Sequence, residues 1–138
     1  MNKTKVLFLC TGNSARSQMA EAFLRKYGGE RFEVFSAGLE PSVLNPLTIQ
    51  VMEEVGVDMS NHFSKSLAQY LGREHFGYLI TVCDRAEKKC PVFLGMGVRL
   101  HWGFEDPAAF QGTPEEKLEK FRQVREQIRT AVQNWINS

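Results

Sequence analysis

The sequence predicts an α/β fold: one domain over residues 1–138, arranged as a three-layer α/β/α sandwich around a four-stranded parallel sheet. Three observations carry this expectation. Short unbroken apolar runs, Lys5–Leu9 (KVLFL) and Tyr78–Val82 (YLITV), have the pattern of strands covered on both faces. Segments with apolar residues at helical spacing alternate with such runs, which implies βαβ units. No repeat, low-complexity tract or linker interrupts the chain, whose 138 residues suit one domain.

Each element has its own signal. After the first strand comes a polar turn with one glycine, Cys10–Ser17, and then a helix in which Met19, Ala20, Phe23, Leu24 and Tyr27 recur on one face before Gly28-Gly29 ends it. Phe32–Ser36 reads as the second strand. Asn45-Pro46 pairs a capping residue with proline at the first helical position, and Leu47, Val51, Met52 and Val55 form the apolar stripe that follows, up to Gly56. A further helix is expected from about Ser64 to Leu71, and a fourth strand at Val98–His101. Thr113-Pro114-Glu115-Glu116 has the form of a capping box, and Leu118, Phe121, Val124, Ile128, Val132 and Trp135 line one face of the helix it starts.

Composition excludes several classes. Hydrophobic residues make up 43% and charged residues 24%, an ordinary globular balance, and 17 basic against 16 acidic side chains leave a charge of +1. Such a balance gives no electrostatic footprint for nucleic acid or an anionic membrane. The longest apolar runs fall far short of the roughly 20 residues of a membrane span, and no cleavable signal is visible at the N-terminus. Three cysteines in an unstapled chain fit a reducing cytoplasm rather than a secreted disulfide scaffold.

In a parallel sheet, ligands bind at the carboxyl ends of the strands, and both Cys10 and Cys83 fall just after a strand. Cys10-Thr11-Gly12-Asn13-Ser14-Ala15-Arg16-Ser17 sets a cysteine and an arginine on a loop between a buried strand and a helix. A loop that curls there turns successive backbone amides inward and makes an anion-sized nest at a helix N-terminus. Gly12 is expected to permit the curvature, and Asn13 tolerates left-handed backbone angles. Arg16 adds a planar fork for two oxyanion oxygens. The same potential favours the Cys10 thiolate, so its pKa is expected to fall well below about 8.5. Ser17 is placed to donate its hydroxyl to that thiolate. The oxyanion-binding set is therefore Thr11, Gly12, Asn13, Ser14, Ala15 and Arg16, with Cys10 as nucleophile.

CTGNSARSQMAEAF resembles the signature of the low-molecular-weight protein tyrosine phosphatase fold, and in particular the thioredoxin-coupled arsenate reductases built on it. The likeness extends to the FSAG segment Phe35–Gly38, to His62, to the TVCD segment Thr81–Asp84, to Cys90-Pro91 and to Glu105-Asp106-Pro107, in that order along nearly the whole chain. Asp106-Pro107, read from its residues alone, is equally a turn or a carboxylate held out from a loop. The resemblance implies that Asp106 is the general acid for the oxygen that leaves when Cys10 attacks.

Cys83 and Cys90 have alternatives of their own, strand-end packing for the first and an incidental surface thiol for the second. Their spacing matches no usual zinc pattern, so neither a metal nor another cofactor is expected. His62, His75 and His101 are scattered and read as structural or surface residues. The resemblance implies a relay. Cys10 attacks arsenate, Cys83 then attacks the Cys10 sulfur and releases arsenite, and Cys90 moves the disulfide to Cys83–Cys90, where thioredoxin reduces it. Disulfide Cα atoms lie within about 7 Å, so residues 83–90 are expected to change conformation during turnover. Phosphate and sulfate fit the same loop as arsenate, and some hydrolysis of small aryl phosphates is expected. The rival expectation is a low-molecular-weight phosphatase with Cys83 and Cys90 incidental, and a binding module stands third. A monomer is expected.

The chain departs from relatives at two positions. Ala15 stands where some carry a further cysteine. Some bind a monovalent cation with residues matching Asn13, Glu21, Ser36 and an acid at the position of Lys65, and here the Lys65 ammonium is expected to replace that cation.

Overall fold

A computed structural model describes residues 3–70, 73–83, 88 and 96–138. Its sheet has four strands, β1 (Thr4–Cys10), β2 (Phe32–Gly38), β3 (Phe76–Thr81) and β4 (Met96–His101), in the order β2-β1-β3-β4 with every pairing parallel. The helices described from end to end are α1 (Arg16–Gly28), α2 (Pro46–Glu53) and α3 (Pro114–Ile136). The apolar run of β1 explains its central place. Val6, Leu7, Phe8 and Leu9 are all fully buried, so both faces of the strand are covered by other layers. On one face Phe8 packs against Trp102, which meets Trp135 of α3 edge-on. On the other, Phe35 stands level with Leu7 and packs edge-on against Tyr70.

Local chemistry sets the helix ends. Gly29 has a φ of 58°, a positive value that glycine adopts without a Cβ clash, where Gly28-Gly29 closes α1. The Asn45 side chain accepts from the Leu47 amide ahead of Pro46. At α3 the Thr113 hydroxyl accepts from the Glu116 amide and the Glu116 carboxylate accepts from the Thr113 amide, at 3.1 and 2.9 Å. Phe121, Val124, Ile128 and Val132 of α3 are buried, as their spacing predicts.

The expected helix at Ser64–Leu71 does not form over its described part. Leu71 lies outside the described residues, and only Leu67–Gln69 coils, as a single 3-10 turn capped by Ser66. The residues before it are drawn out by β2 and by the loop after β1. The Gly38 amide donates to Lys65 O, Gly38 bridges Ser66 in parallel, and the Lys65 amide and Ser64 hydroxyl donate to Asn13.

The parallel register brings Cys10 level with Gly38 and leaves the ends of β1, β2, β3 and β4 on one edge of the sheet. Gly38 is the close approach on that edge. A Cβ there would lie 2.6 Å from Thr11 O, 3.0 Å from Asn13 N and 3.0 Å from Gly12 C, all backbone atoms that have nowhere to go. Gly38→Ala is expected to destabilise the protein by about 2 kcal/mol through overpacking, read from urea unfolding, with a fall in Cys10 reactivity as the loop is displaced.

Candidate functional site

The loop between β1 and α1 is held from outside. Leu39 N donates to Cys10 O, Glu40 N to Thr11 O, Ser42 N to Gly12 O and Asn45 N to Ser14 O, at 2.9–3.1 Å. Asn13 O accepts from the Gln18 side chain and the Ser64 hydroxyl, and Ala15 O accepts from Met19 N within the first turn of α1. Every carbonyl from Cys10 to Ala15 is thus bonded away from the loop's concave side. Carbonyls that point outward leave the amides to point inward, and no side chain caps the N-terminus of α1. This is the backbone arrangement that the expected nest requires. Its left-handed residue is Asn13, at φ 51°, and not Gly12. The curvature assigned to Gly12 is supplied one residue later, while Gly12 itself faces Ser42, whose Oγ would be 3.1 Å from a Cβ.

Cys10 is buried at the base of the loop. The Asn13 amide donates to its Sγ at 3.1 Å and Ser17 Oγ lies 2.9 Å away. The direction of the Ser17 bond follows from its neighbours. The Lys65 amide donates to Asn13 Oδ1 at 2.8 Å, so Asn13 Nδ2 is the atom that faces Ser17 and donates to its oxygen at 2.7 Å. Ser17 Oγ accepts from Asn13 and keeps its own proton available to Cys10 Sγ, to which it donates when the sulfur is a thiolate with no proton of its own. Burial nevertheless pushes the Cys10 thiol up from its ordinary value, and this outweighs the opposing pull of Ser17, the Asn13 amide and Arg16. The expected depressed pKa is therefore corrected: the donors are present, but the sulfur is more deeply desolvated than its place in a polar loop implies.

A cavity of about 540 Å³ opens above the loop, lined by Thr11, Arg16, Cys83, Gly103, Phe104, Glu105 and Asp106. Cys83, two residues beyond β3, is buried and carries a free thiol, as does Cys10. Its Sγ is 3.4 Å from the Thr11 hydroxyl. Arg16 Nη1 donates to Phe104 O at 3.0 Å, and Nη2 lies 3.6 Å from Asp106 Oδ2. The other Asp106 oxygen accepts from the Ala108 amide at 3.0 Å and caps the turn Pro107–Ala109. The turn and the ion-pair readings of Asp-Pro are both realised, by different oxygens of one carboxylate. Cys90 lies outside the described residues, as do most of residues 84–89. No group of three or more metal-ligating side chains occurs among the described residues.

Behind the loop is a buried polar network whose reach sequence reasoning missed. Gln18 Nε2 donates toward Asn13 O, Asn13 Oδ1 and Phe63 O, which leaves Gln18 Oε1 to accept from His62 Nδ1 at 3.0 Å. His62 is therefore not a surface residue. Burial pushes its pKa down against the pull of Glu21, so the ring is neutral with its proton on Nδ1. Glu21, itself buried, accepts from Ser36 and faces Arg25 at 2.7 Å and Lys65 at 3.7 Å. No local signal marks Gln18, which lies five residues from Asn13 and off the helical spacing of three or four.

Removing the Ser17 hydroxyl withdraws a donor from the thiolate and leaves the thiol unaffected. Ser17→Ala is expected to move the pH profile of Cys10 alkylation by iodoacetamide upward by about one unit, the size of a hydrogen bond to a charged group, with slower alkylation at any fixed pH below the plateau.

The comparisons with known proteins agree with this geometry. The family model described as low molecular weight phosphotyrosine protein phosphatase matches residues 5–138. An arsenate reductase of Halalkalibacterium halodurans is 42% identical over 138 residues, covering 100% of this chain and 99% of the relative. Among solved structures, an arsenate reductase in the oxidized state matches with a TM-score of 0.82 at 34% identity, over 97% of each chain. A thioredoxin-dependent arsenate reductase of Corynebacterium glutamicum matches with a TM-score of 0.62 at 30% identity, over 95% of this chain and 62% of the other. The sheet order, the nest and a family match that begins inside β1 and runs to the last residue give one conclusion: this chain belongs to the low molecular weight phosphotyrosine protein phosphatase family.

Proposed function

We propose that this protein, as a single domain, reduces arsenate to arsenite through Cys10, Cys83 and Cys90, with thioredoxin or a similar dithiol protein as electron donor. The observation that carries this reading is the second thiol. Phosphate-ester hydrolysis needs one cysteine, the arginine and the acid, whereas here the free thiol of Cys83 lines the same cavity as Arg16 and Asp106. Relatives named as arsenate reductases over the full length of the chain support it.

In this mechanism the inward amides and Arg16 bind the tetrahedral oxyanion. The Cys10 thiolate attacks arsenic, an As–O bond breaks, and Asp106 protonates the leaving oxygen, which departs as water. Cys83 then attacks the Cys10 sulfur. The S–S bond forms as the S–As bond breaks, the bonding pair stays on arsenic, and arsenic(V) becomes arsenic(III) while two thiols become one disulfide. Cys90 next attacks Cys83 and frees Cys10; in this step Cys10 is the leaving sulfur and Ser17 donates to it. The donor dithiol then reduces the Cys83–Cys90 pair. The thiols and reductant that this chemistry needs are those of a reducing cytoplasm.

Arsenate-dependent NADPH oxidation, coupled through thioredoxin and thioredoxin reductase, tests the reading. Cys10→Ser, Cys83→Ser and Cys90→Ser are each expected to abolish turnover. Hydrolysis of p-nitrophenyl phosphate is expected to persist in the Cys83 and Cys90 variants and to be lost only with Cys10. The family match favours a second reading, a phosphatase of phosphate monoesters. Hydrolysis without any arsenate-dependent oxidation would establish that reading in place of the first.

A monovalent cation does not fit beside Glu21, because two protein cations already stand there. The Lys65 side chain is only 9% exposed, and its ammonium also donates to Phe63 O at 2.8 Å. Burial pulls the Lys65 pKa down and Glu21 holds it up, a pairing that keeps the charge inside. Exchanging potassium for sodium or tetramethylammonium at constant ionic strength is expected to leave steady-state arsenate reduction unchanged. Strong activation by potassium is the contrary result.

A further inference from the structure

The segment Gly103–Asp106 forms one wall of the oxyanion cavity, and Arg16 is bonded to it at Phe104 O and at the Asp106 carboxylate. Glu105 lies between these two partners, and it also lines the cavity. Two consecutive carboxylate residues thus line the cavity that holds the Arg16 guanidinium. Glu105, however, is paired elsewhere. Its Oε2 accepts from Lys120 Nζ of α3 at 3.0 Å. Lys120 is the more fixed member of the pair: its side chain is 19% exposed against 58% for Glu105, and its ammonium lies 5.1 Å from the centroid of the Phe110 ring.

As a contribution to stability, such a pair is small. For the cavity, its charge matters more. A released Glu105 would add a full negative charge to the wall and compete with substrate for the Arg16 fork. We propose that Lys120 is a positioning residue for the oxyanion site, holding the Glu105 carboxylate off Arg16 and neutralising it at the cavity wall. The inference rests on the reading of this cavity as an oxyanion site. Lys120 touches no substrate and acts through Glu105 alone.

The test measures the affinity of inorganic phosphate for the reduced, full-length protein by calorimetry. Lys120→Met keeps the packed stem and removes the charge. It is expected to weaken phosphate binding about five-fold at low salt, the size of effect that one uncompensated charge has on an anion in a solvated mouth. The deficit is expected to shrink as salt is added. Glu105→Gln is expected to bind at least as tightly as wild type, Lys120→Arg to match wild type, and the Lys120→Met/Glu105→Gln double variant to recover wild-type affinity. A tie that merely braced the loop would leave the double variant as weak as Lys120→Met, and that result overturns the inference. Unchanged affinity in Lys120→Met overturns it equally. Should Lys120→Met fail to fold, Lys120→Gln, alone and combined with Glu105→Gln, gives the same comparison. A wild-type protein that binds neither phosphate nor arsenate overturns the oxyanion reading itself, a separate outcome visible before any variant is compared.

Discussion

The site depends on where six carbonyl groups point. From Cys10 to Ala15 each backbone oxygen accepts a hydrogen bond from outside the loop, most of them from the segment 39–45 that follows β2. A peptide unit cannot turn its oxygen out without turning its N–H in, so these bonds set the concave face of the loop as a surface of donors. The constraint is tertiary. It needs β2 beside β1, Gly38 without a side chain against Thr11 and Asn13, and the chain beyond Gly38 running back along the loop. A loop of the same sequence without that brace would have no reason to prefer amides inward.

A second consequence follows from Asn13. Its left-handed backbone makes the turn, its amide reaches Cys10, its carbonyl ties the loop to Gln18 and Ser64, and its side chain both accepts from Lys65 and donates to Ser17. Because the Asn13 side chain donates to the Ser17 oxygen, the Ser17 proton stays available to a Cys10 thiolate. The buried network from His62 through Gln18 therefore orients the donors around Cys10 as well as filling space. It also sits in the part of the molecule where burial opposes ionisation of Cys10, so oriented donors have to act against desolvation.

How much of this was legible in the sequence divides along a physical line. Features set by neighbours in the chain were readable: the buried run of β1, the capping box at Thr113, the Asn45-Pro46 start of α2, and a cysteine and arginine framing a loop at a helix N-terminus. Features set by contact between distant segments were not. Nothing local marks Gly38 as the glycine that lets two loops close, nor Gln18 as the link between Asn13 and His62. The segment from Ser64 had the composition of a helix start, but β2 and Asn13 offered its backbone partners that a helix would have forfeited. The left-handed residue is Asn13, whose tolerance of such angles was legible, but the bonds of its side chain to Ser17, Gln18 and Lys65 were not. Cys10 looked like a residue of a polar loop, and only its packing revealed how little water reaches it.

The sheet order explains why a second thiol can join an oxyanion loop in this fold. Cys10 and Cys83 are distant in sequence, yet β1 and β3 are adjacent parallel strands with Leu9 level with Thr81. Neighbouring strands lie about 4.8 Å apart, so the residues just beyond their carboxyl ends are separated by little more than a disulfide spans. Thr11 follows Cys10 directly and lies across that gap, its hydroxyl 3.4 Å from the Cys83 sulfur. A cysteine after β2 would meet the brace formed by residues 39–45 instead, and one after β4 would be a further strand away from Cys10. The end of β3 offers both nearness to Cys10 and a place in the lining of the cavity that Asp106 shares. On the proposed reading, a hydrolytic site and a thiol-transfer site would share the loop, the arginine and the acid, and differ by the two added thiols, Cys83 and Cys90.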